Sequence, residues 1–431
     1  MNRYRLGLLA DYLAATRNEI DIDNRMLRTL GMDPMRCGHI PRVQRWAPSG
    51  LRRPCLWANI ARLARLLWPL VGAPLLFTLQ AMSLWRAMPR MEISPRVIAV
   101  DHIGLGFSSR AMQLIRTPAF DPAPACWLVV PWVSVPTLPS ELLRIDLMEV
   151  LSAKDLRDAW LDAMAATLVA VRRRDLSQWI LQTYTALRWF AARRAVDRLG
   201  GTLYTAEHYD RWAVLADRAV RRSHANNHSP QAEGPRGLVL VQHGVVVPTG
   251  NKPDTSEELR LSTRLSRVDA LHAFDDASET FFRLRVLTIA GNRRLPNVKR
   301  FVPNITLSAT GEAAGTITLL FVGHPFCEEL HLHALAEIQR TMPNVATYYK
   351  PHPLAAMSPT MAAAGWQFVK DSQFFPAVDL LISYPSTLVV EYEAQGIRAL
   401  VHPINMRSAE AQPFLYNLSR ELARVRQASS Q

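Results

Sequence analysis

The chain has 431 residues, 49% of them hydrophobic, enough for two ordinary domains with sizeable cores. Formal net charge is +13, from 50 Lys and Arg against 37 Asp and Glu, with arginine far outnumbering lysine, so an anionic partner is expected: nucleic acid, anionic lipid, or a substrate such as a sugar nucleotide. Nucleic acid ranks last because no zinc-finger spacing, RRM-type aromatic signature or continuous basic helix is present, and the scattered Cys37, Cys55, Cys126 and Cys327 fit neither a disulfide framework nor a CxxC metal site, which favours a reducing compartment.

Residues 1–95 read as an arginine-studded helical N-terminal extension. Charged Asp11 and Arg17 come too early for the layout of a secretory signal peptide, so a cytoplasmic protein is expected, peripheral at the inner membrane if this extension associates with lipid. Within it, residues 66–85 (LLWPLVGAPLLFTLQAMSLW) carry no charge, a length that just suffices to cross a bilayer. Pro69, Gly72, Pro74 and Gln80 interrupt the segment, and Arg62, Arg65, Arg86 and Arg90 flank both ends without setting an orientation. A buried or interfacial helix hairpin is expected here rather than a span.

From Arg96 the texture changes. RVIAVDHIGLGFSSRAM reads as a strand, a glycine-bearing turn and a helix capped by Ser108 or Ser109, and CWLVVPWV (126–133) as a second buried strand. Residues 142–200 read as long amphipathic helices stopping at Gly200-Gly201. Residues 202–222 give a strand then a helix, 223–236 an exposed loop, and 237–244 a strand ending at His243-Gly244. Short strands follow at 268–274 and 286–291. TITLLFVGHPF (316–326) is a strong strand before a helix over 328–340. ATYYKPHPL, GWQFVKD, AVDLLISYPSTLVVEYEAQG and RALVHP continue the alternation. Near-continuous apolar strands alternating with helices predict an α/β protein whose parallel sheets are covered on both faces.

Ligands of such sheets bind beyond the carboxyl ends of the strands, and five candidate segments lie there: Glu207–Arg211, Gln242-His243-Gly244, Gly323-His324, Lys350–Pro353 and Ser383–Glu391. Ser386 and Thr387 fall at a helix N-terminus, where unpaired N–H groups welcome an anion. Glu391 lies one turn later and is suited to ribose hydroxyls; the competing reading is a plain N-cap with a solvated carboxylate. In KPHP, two prolines hold His352 in one direction and Lys350 adds a point charge for a departing phosphate; alternatively the segment is a rigid turn. Glu207, His208, Asp210 and Arg211 offer either a carboxylate base beside an acceptor or an ion-paired helix start. His243 reads as a base, a phosphate donor or a core histidine. His331 and His333 point to different helix faces and read as surface or packing residues.

The order HG (243–244), VDALHAFDDASETFF, VLTIAGNRR, TLLFV, KPHP and DLLISYPSTLVVEYEAQGIRALVHP resembles the GT-B superfamily of bacterial surface-polysaccharide enzymes, above all sialyl- and Kdo-transferases and CDP-glycerol glycerophosphotransferases. The resemblance spans residues 200–405. It implies two Rossmann-like domains facing across a cleft with extra N-terminal helices: an acceptor domain over 96–255 and a nucleotide-donor domain over 256–431. The implied activity is a metal-independent, inverting glycosyltransferase of capsule polysaccharide biosynthesis that uses a CMP-linked sugar and a glycan or glycolipid acceptor. It implies no cofactor and no nucleic-acid partner. The alternatives are transfer of glycerol- or ribitol-phosphate, or a non-catalytic subunit of a polysaccharide assembly complex. By position, Gly323, His324, Lys350, His352, Ser386, Thr387 and Glu391 would bind donor. His208, Arg211 and Gln242 would bind acceptor, with the base among Glu207, Asp210 and His243. Ser383-Tyr384-Pro385 departs from the Asp-Tyr that usually precedes the serine pair in the glycerophosphotransferases, and the base motif of polysialyltransferases is not visible in its usual form.

Overall fold

A computed structural model describes residues 3–29, 33–34, 41, 54–88, 98–108, 126–133, 142–225, 235–244, 259–288, 296–302, 305–313, 315–342, 344–352, 357–371, 374–404, 406 and 410–428. The expected cap at Ser109, most of the 223–236 loop and Pro353 of KPHP lie outside these residues. Two compact units emerge. Described residues up to His243 and those from Leu259 to Phe301 form the first, and those from Val302 onward build the second.

In the first unit, seven parallel strands make one sheet: β1 (Ile98–Gly106), β2 (Cys126–Val129), β3 (Leu143–Asp146), β4 (Leu199–Thr205), β5 (Pro235–Val241), β6 (Ala270–Ala273) and β7 (Asn297–Arg300). Their spatial order is β3-β2-β1-β4-β5-β6-β7, a doubly wound arrangement that reverses direction between β1 and β4. Strands β6 and β7 extend this sheet from β5. The first unit therefore runs on to Phe301 and takes in 259–301, which the expected boundary at 255/256 had assigned to the donor domain. At Gly201 φ is +94°, and a Cβ there would lie 1.9 Å from the Val100 carbonyl oxygen. Only glycine lets β4 come this close to β1.

Helix α1 (Arg3–Thr29) belongs to this unit rather than to a separate extension. Leu8, Tyr12 and Ala15 are fully buried, and Asn18 Nδ2 donates to the Tyr209 and Thr263 carbonyls at 3.0 and 2.7 Å. The fully buried Arg193, on the helix Ala186–Val196, is neutralised by Asp11 at 3.1 Å and Asp197 at 2.8 Å, so detaching α1 would leave a buried guanidinium short of a counter-charge.

Helices α2 (Pro54–Leu67) and α3 (Ala73–Arg86) are joined by a single π-helical turn, Trp68–Gly72. Residues Asn59–Arg86 thus run as one helix of 28 residues, whose most apolar 18-residue stretch has mean hydropathy 1.5, long and apolar enough to cross a membrane. The expected hairpin is absent: Pro69 sits in the π turn, which accommodates a missing N–H without reversing the chain. One face packs through Ala61, Ala73, Phe77 and Leu84, while Trp68 Nε1 donates to Thr183 Oγ1 at 2.8 Å.

The second unit holds a five-stranded parallel sheet of β9 (Ile317–Val322), β10 (Val345–Lys350), β11 (Gln367–Phe368), β13 (Leu380–Ser383) and β14 (Arg398–Val401), beside a two-residue pair of β8 (Leu307–Ser308) and β12 (Phe375–Pro376). The order β11-β10-β9-β13-β14 again reverses at its centre, the point at whose carboxyl ends sheets of this kind bind ligands. Alternation explains the apolar runs: Leu319 and Phe321 join one core cluster, Leu320 and Val322 the other, and both faces are covered.

Candidate functional site

Each sheet presents candidate residues at its strand tips. In the second unit, Gly323 follows β9, and its N–H donates to the Lys350 carbonyl at 2.8 Å. A Cβ at Gly323 would lie 2.3 Å from the Tyr349 hydroxyl. Gly323 is therefore a spacer for Tyr349 and a continuation of the ladder, with its N–H already taken rather than offered to a phosphate.

His324 is buried, and its Nδ1 accepts from the Phe326 N–H at 3.3 Å. The proton therefore sits on Nε2. Burial, helped by the neighbouring His352, pushes its pKa down to about 3, so it is a neutral N–H donor at any working pH. The His352 ring stands edge to face with it at 5.0 Å between centroids, and Tyr384 edges it at 5.5 Å. Strands β10, β9 and β13 are immediate neighbours, so Lys350–His352, Gly323-His324 and Ser383–Thr387 lie at one end of the sheet.

Ser386 occupies the N-cap of α11 (Thr387–Ala394) but makes no side-chain cap bond, unlike the plain cap weighed from the sequence. Ser383 Oγ donates to the Tyr384 carbonyl at 2.7 Å and lies 2.9 Å from Ser386 Oγ, so Ser386 donates to Ser383. The hydroxyl is thus turned away from the helix end and does not cap the first turn.

Lys350 Nζ donates to the carbonyls of Asp371 and Phe374 at 3.1 and 2.9 Å and lies 4.7 Å from the centre of the Phe375 ring. Its ammonium binds Asp371, Phe374 and Phe375 instead of standing ready for a phosphate. Burial lowers its pKa, partly offset by Asp371 and Glu391. Glu391 is raised to about 7 by burial, with Lys350 pulling the other way. This carboxyl is therefore not the solvated one of the competing reading: it titrates near neutrality and would ionise most readily when hydroxyl groups donate to it.

In the first unit, His243 Nδ1 donates to the Ala206 carbonyl, which leaves the lone pair on Nε2. His208 is buried, accepts the His243 N–H on its own Nε2 at 2.8 Å and stacks on the His243 ring at 3.9 Å. Glu207 is buried with Oε1 lacking a hydrogen-bond partner. Asp210 is held well above the usual carboxylate range by burial and by the adjacent Glu207 carboxyl, which favours its protonated form. Its Oδ1 also accepts from the N–H groups of Trp212 and Ala213 at 2.8 and 3.0 Å, capping α7 (Arg211–Ala225).

Two residues expected to hold acceptor are part of the scaffold. Arg211 is buried, donates to the Gln182 carbonyl, Gln182 Oε1 and Thr185 Oγ1, and pairs with Glu19 at 3.2 Å. Gln242 is fully buried, donating to Ser278 Oγ at 3.0 Å and accepting from the Phe274 N–H at 2.8 Å.

One cluster escaped the sequence reading. Cys327, His331 and His402 are buried with potential ligand atoms within 4.8 Å of one another. His402 Nδ1 donates to the Pro403 carbonyl at 2.9 Å, so His402 Nε2 accepts from His331 Nε2 at 2.9 Å, and Cys327 Sγ donates to the His324 carbonyl at 3.2 Å. Neutral side chains account for the His331–His402 bond, while His331 Nδ1 faces Cys327 Sγ at 3.9 Å. The HLH pair gave no sign of it because His402 lies 71 residues from His331.

No protein-family model matches the chain, and no curated protein matches it significantly.

Proposed function

We propose that the chain is a GT-B-type glycosyltransferase of surface-polysaccharide biosynthesis that moves a sugar from a nucleotide-activated, CMP-linked donor to a glycan acceptor. The observation that carries this reading is the meeting of a neutral His324, His352 and the N-terminus of α11, which the Ser386 hydroxyl does not cap, at the carboxyl ends of adjacent parallel strands. Such donors suit a phosphate and need no rearrangement as charge develops on it. Glu391 at the same end suits ribose hydroxyls.

In the proposed step, Glu207 removes the acceptor hydroxyl proton and the resulting oxygen attacks the anomeric carbon. The bond from that carbon to the phosphate oxygen breaks, and the nucleotide leaves with the negative charge. His324, His352 and the helix end stabilise it there. Asp210, whose protonated form the fold favours, stands beside Glu207.

The test is a thermal-shift screen with CMP, CDP, UDP and GDP. CMP is expected to raise the melting temperature of the wild type and to do so less in His352→Ala. A shift with CDP alone would favour glycerol- or ribitol-phosphate transfer, and no shift with any nucleotide would remove the donor site.

A further inference from the structure

The long helix over 59–86 shows an apolar face that nothing among the described residues covers. Leu63, Leu66, Leu70, Leu75, Leu79 and Met82 are between 41 and 77% exposed, with Trp85 at 65% near one end. Their spacing follows the helix. Steps of three or four residues run on either side of the π turn, and a step of five, Leu70 to Leu75, crosses it. The widened turn keeps one apolar stripe in line.

The opposite face is committed. Phe77 and Leu84 are buried and Trp68 bonds Thr183, while along the flank Thr78 accepts from Trp160 Nε1 at 3.3 Å. The helix therefore cannot thread through a bilayer without leaving its own unit; it lies along the surface. Beside it, α3 and α5 (Ala153–Arg172) enclose a groove of about 500 Å³, lined by Met82, Trp85, Leu156, Trp160 and Leu161, with Arg157 in its wall.

Charge selects the occupant. Residues 34–91 contain nine arginines and no acidic residue, and Arg62 and Arg86 are exposed towards the two ends of the stripe. An apolar stripe ending in arginines, with tryptophan at one end, matches the layered chemistry of a lipid surface: hydrocarbon in the middle, phosphate around it. A protein partner would not require the acid-free stretch. We propose that this face is a monotopic membrane-docking surface that seats the first unit on an anionic bilayer, with the groove accepting part of a lipid chain. The inference does not rest on the transferase reading.

The experiment is co-sedimentation of the full chain with phosphatidylcholine vesicles, with and without phosphatidylglycerol. It is run on the wild type and on the triple variant Leu70→Glu, Leu75→Glu, Leu79→Glu, with melting curves and sedimentation equilibrium as controls. Wild type is expected to bind phosphatidylglycerol vesicles in a salt-sensitive way. The variant should melt like the wild type, because the three side chains are exposed, and bind roughly a hundred-fold or more weakly. Failure of the wild type to bind, or undiminished binding by the variant, overturns the proposal. So does a lipid-free dimer that the variant dissociates, which would make the face a contact between two copies of the chain.

Discussion

The imidazoles of His324 and His352 stand edge to face, 5.0 Å between centroids, although they follow different strands. Burial and this neighbour hold His324 neutral, while the bond from the Phe326 N–H sets its tautomer. Two histidines so placed cannot both be cations at low cost, so their joint contribution is as N–H donors. His352→Ala is expected to lower kcat at least ~100-fold, the usual scale for removing one donor from a charge-developing oxygen, with an unchanged melting temperature. A transfer assay with a CMP-activated sugar and a thermal melt check both halves; near-normal turnover would reduce KPHP to a turn.

Glu391 yields a pH signature independent of any assay. Its folded pKa of about 7 lies above the ordinary 4.5, so protonated Glu391 is favoured in the folded state. The stability it contributes is complete below pH 4.5 and is lost as pH rises towards 7. Glu391→Gln removes that loss. The melting temperature of the variant relative to wild type should climb between pH 4.5 and 7, by the equivalent of about 1–3 kcal/mol. A difference that stays flat with pH would contradict the burial argument.

In the proposed step Glu207 is the base and Asp210 its partner. Asp210 is protonated in the fold, so Asp210→Asn keeps the helix cap through its amide oxygen and should be tolerated, more stable than wild type at high pH because the ionisation that opposes folding is gone. Glu207→Gln should lower kcat by ~100-fold or more with little change in melting. Equal kinetic effects of the two substitutions would argue against this division.

Arg211 and Gln242 make the opposite prediction to a binding role. Arg211→Ala strips a buried network from Glu19, Gln182 and Thr185, and should destabilise the fold by about 3–5 kcal/mol. Urea unfolding measures this. A variant that folds normally but loses acceptor affinity would restore the acceptor-binding role.

Gly323→Ala tests the spacer assignment. Its Cβ would meet the rigid, buried ring of Tyr349, so the expected destabilisation is about 1–3 kcal/mol, visible as a lower melting temperature before any effect on ligands is considered.

Much of this molecule is written locally in the chain. The strands at 126, 202, 237, 268, 316, 345 and 379 could be read because near-continuous apolar runs bounded by glycine, proline and polar turns have few other places to go. The strand tips could be read for the same reason, and with them His324, His352, Ser386 and Glu391. Strands β3 and β7 could not. Leu143–Asp146 and Asn297–Arg300 are short, polar, outermost strands, extended only because β2 and β6 lie alongside to pair with them. Tertiary structure alone decided that 259–301 completes the first sheet, that α1 supplies Asp11 to a buried Arg193, and that Arg211, Gln242 and Lys350 spend their hydrogen bonds on the protein itself. The physical reason is one of range. Hydrophobic periodicity is a property of neighbours along the chain, whereas a polar side chain's role depends on which distant partner reaches it first, and that is known only once the chain has folded.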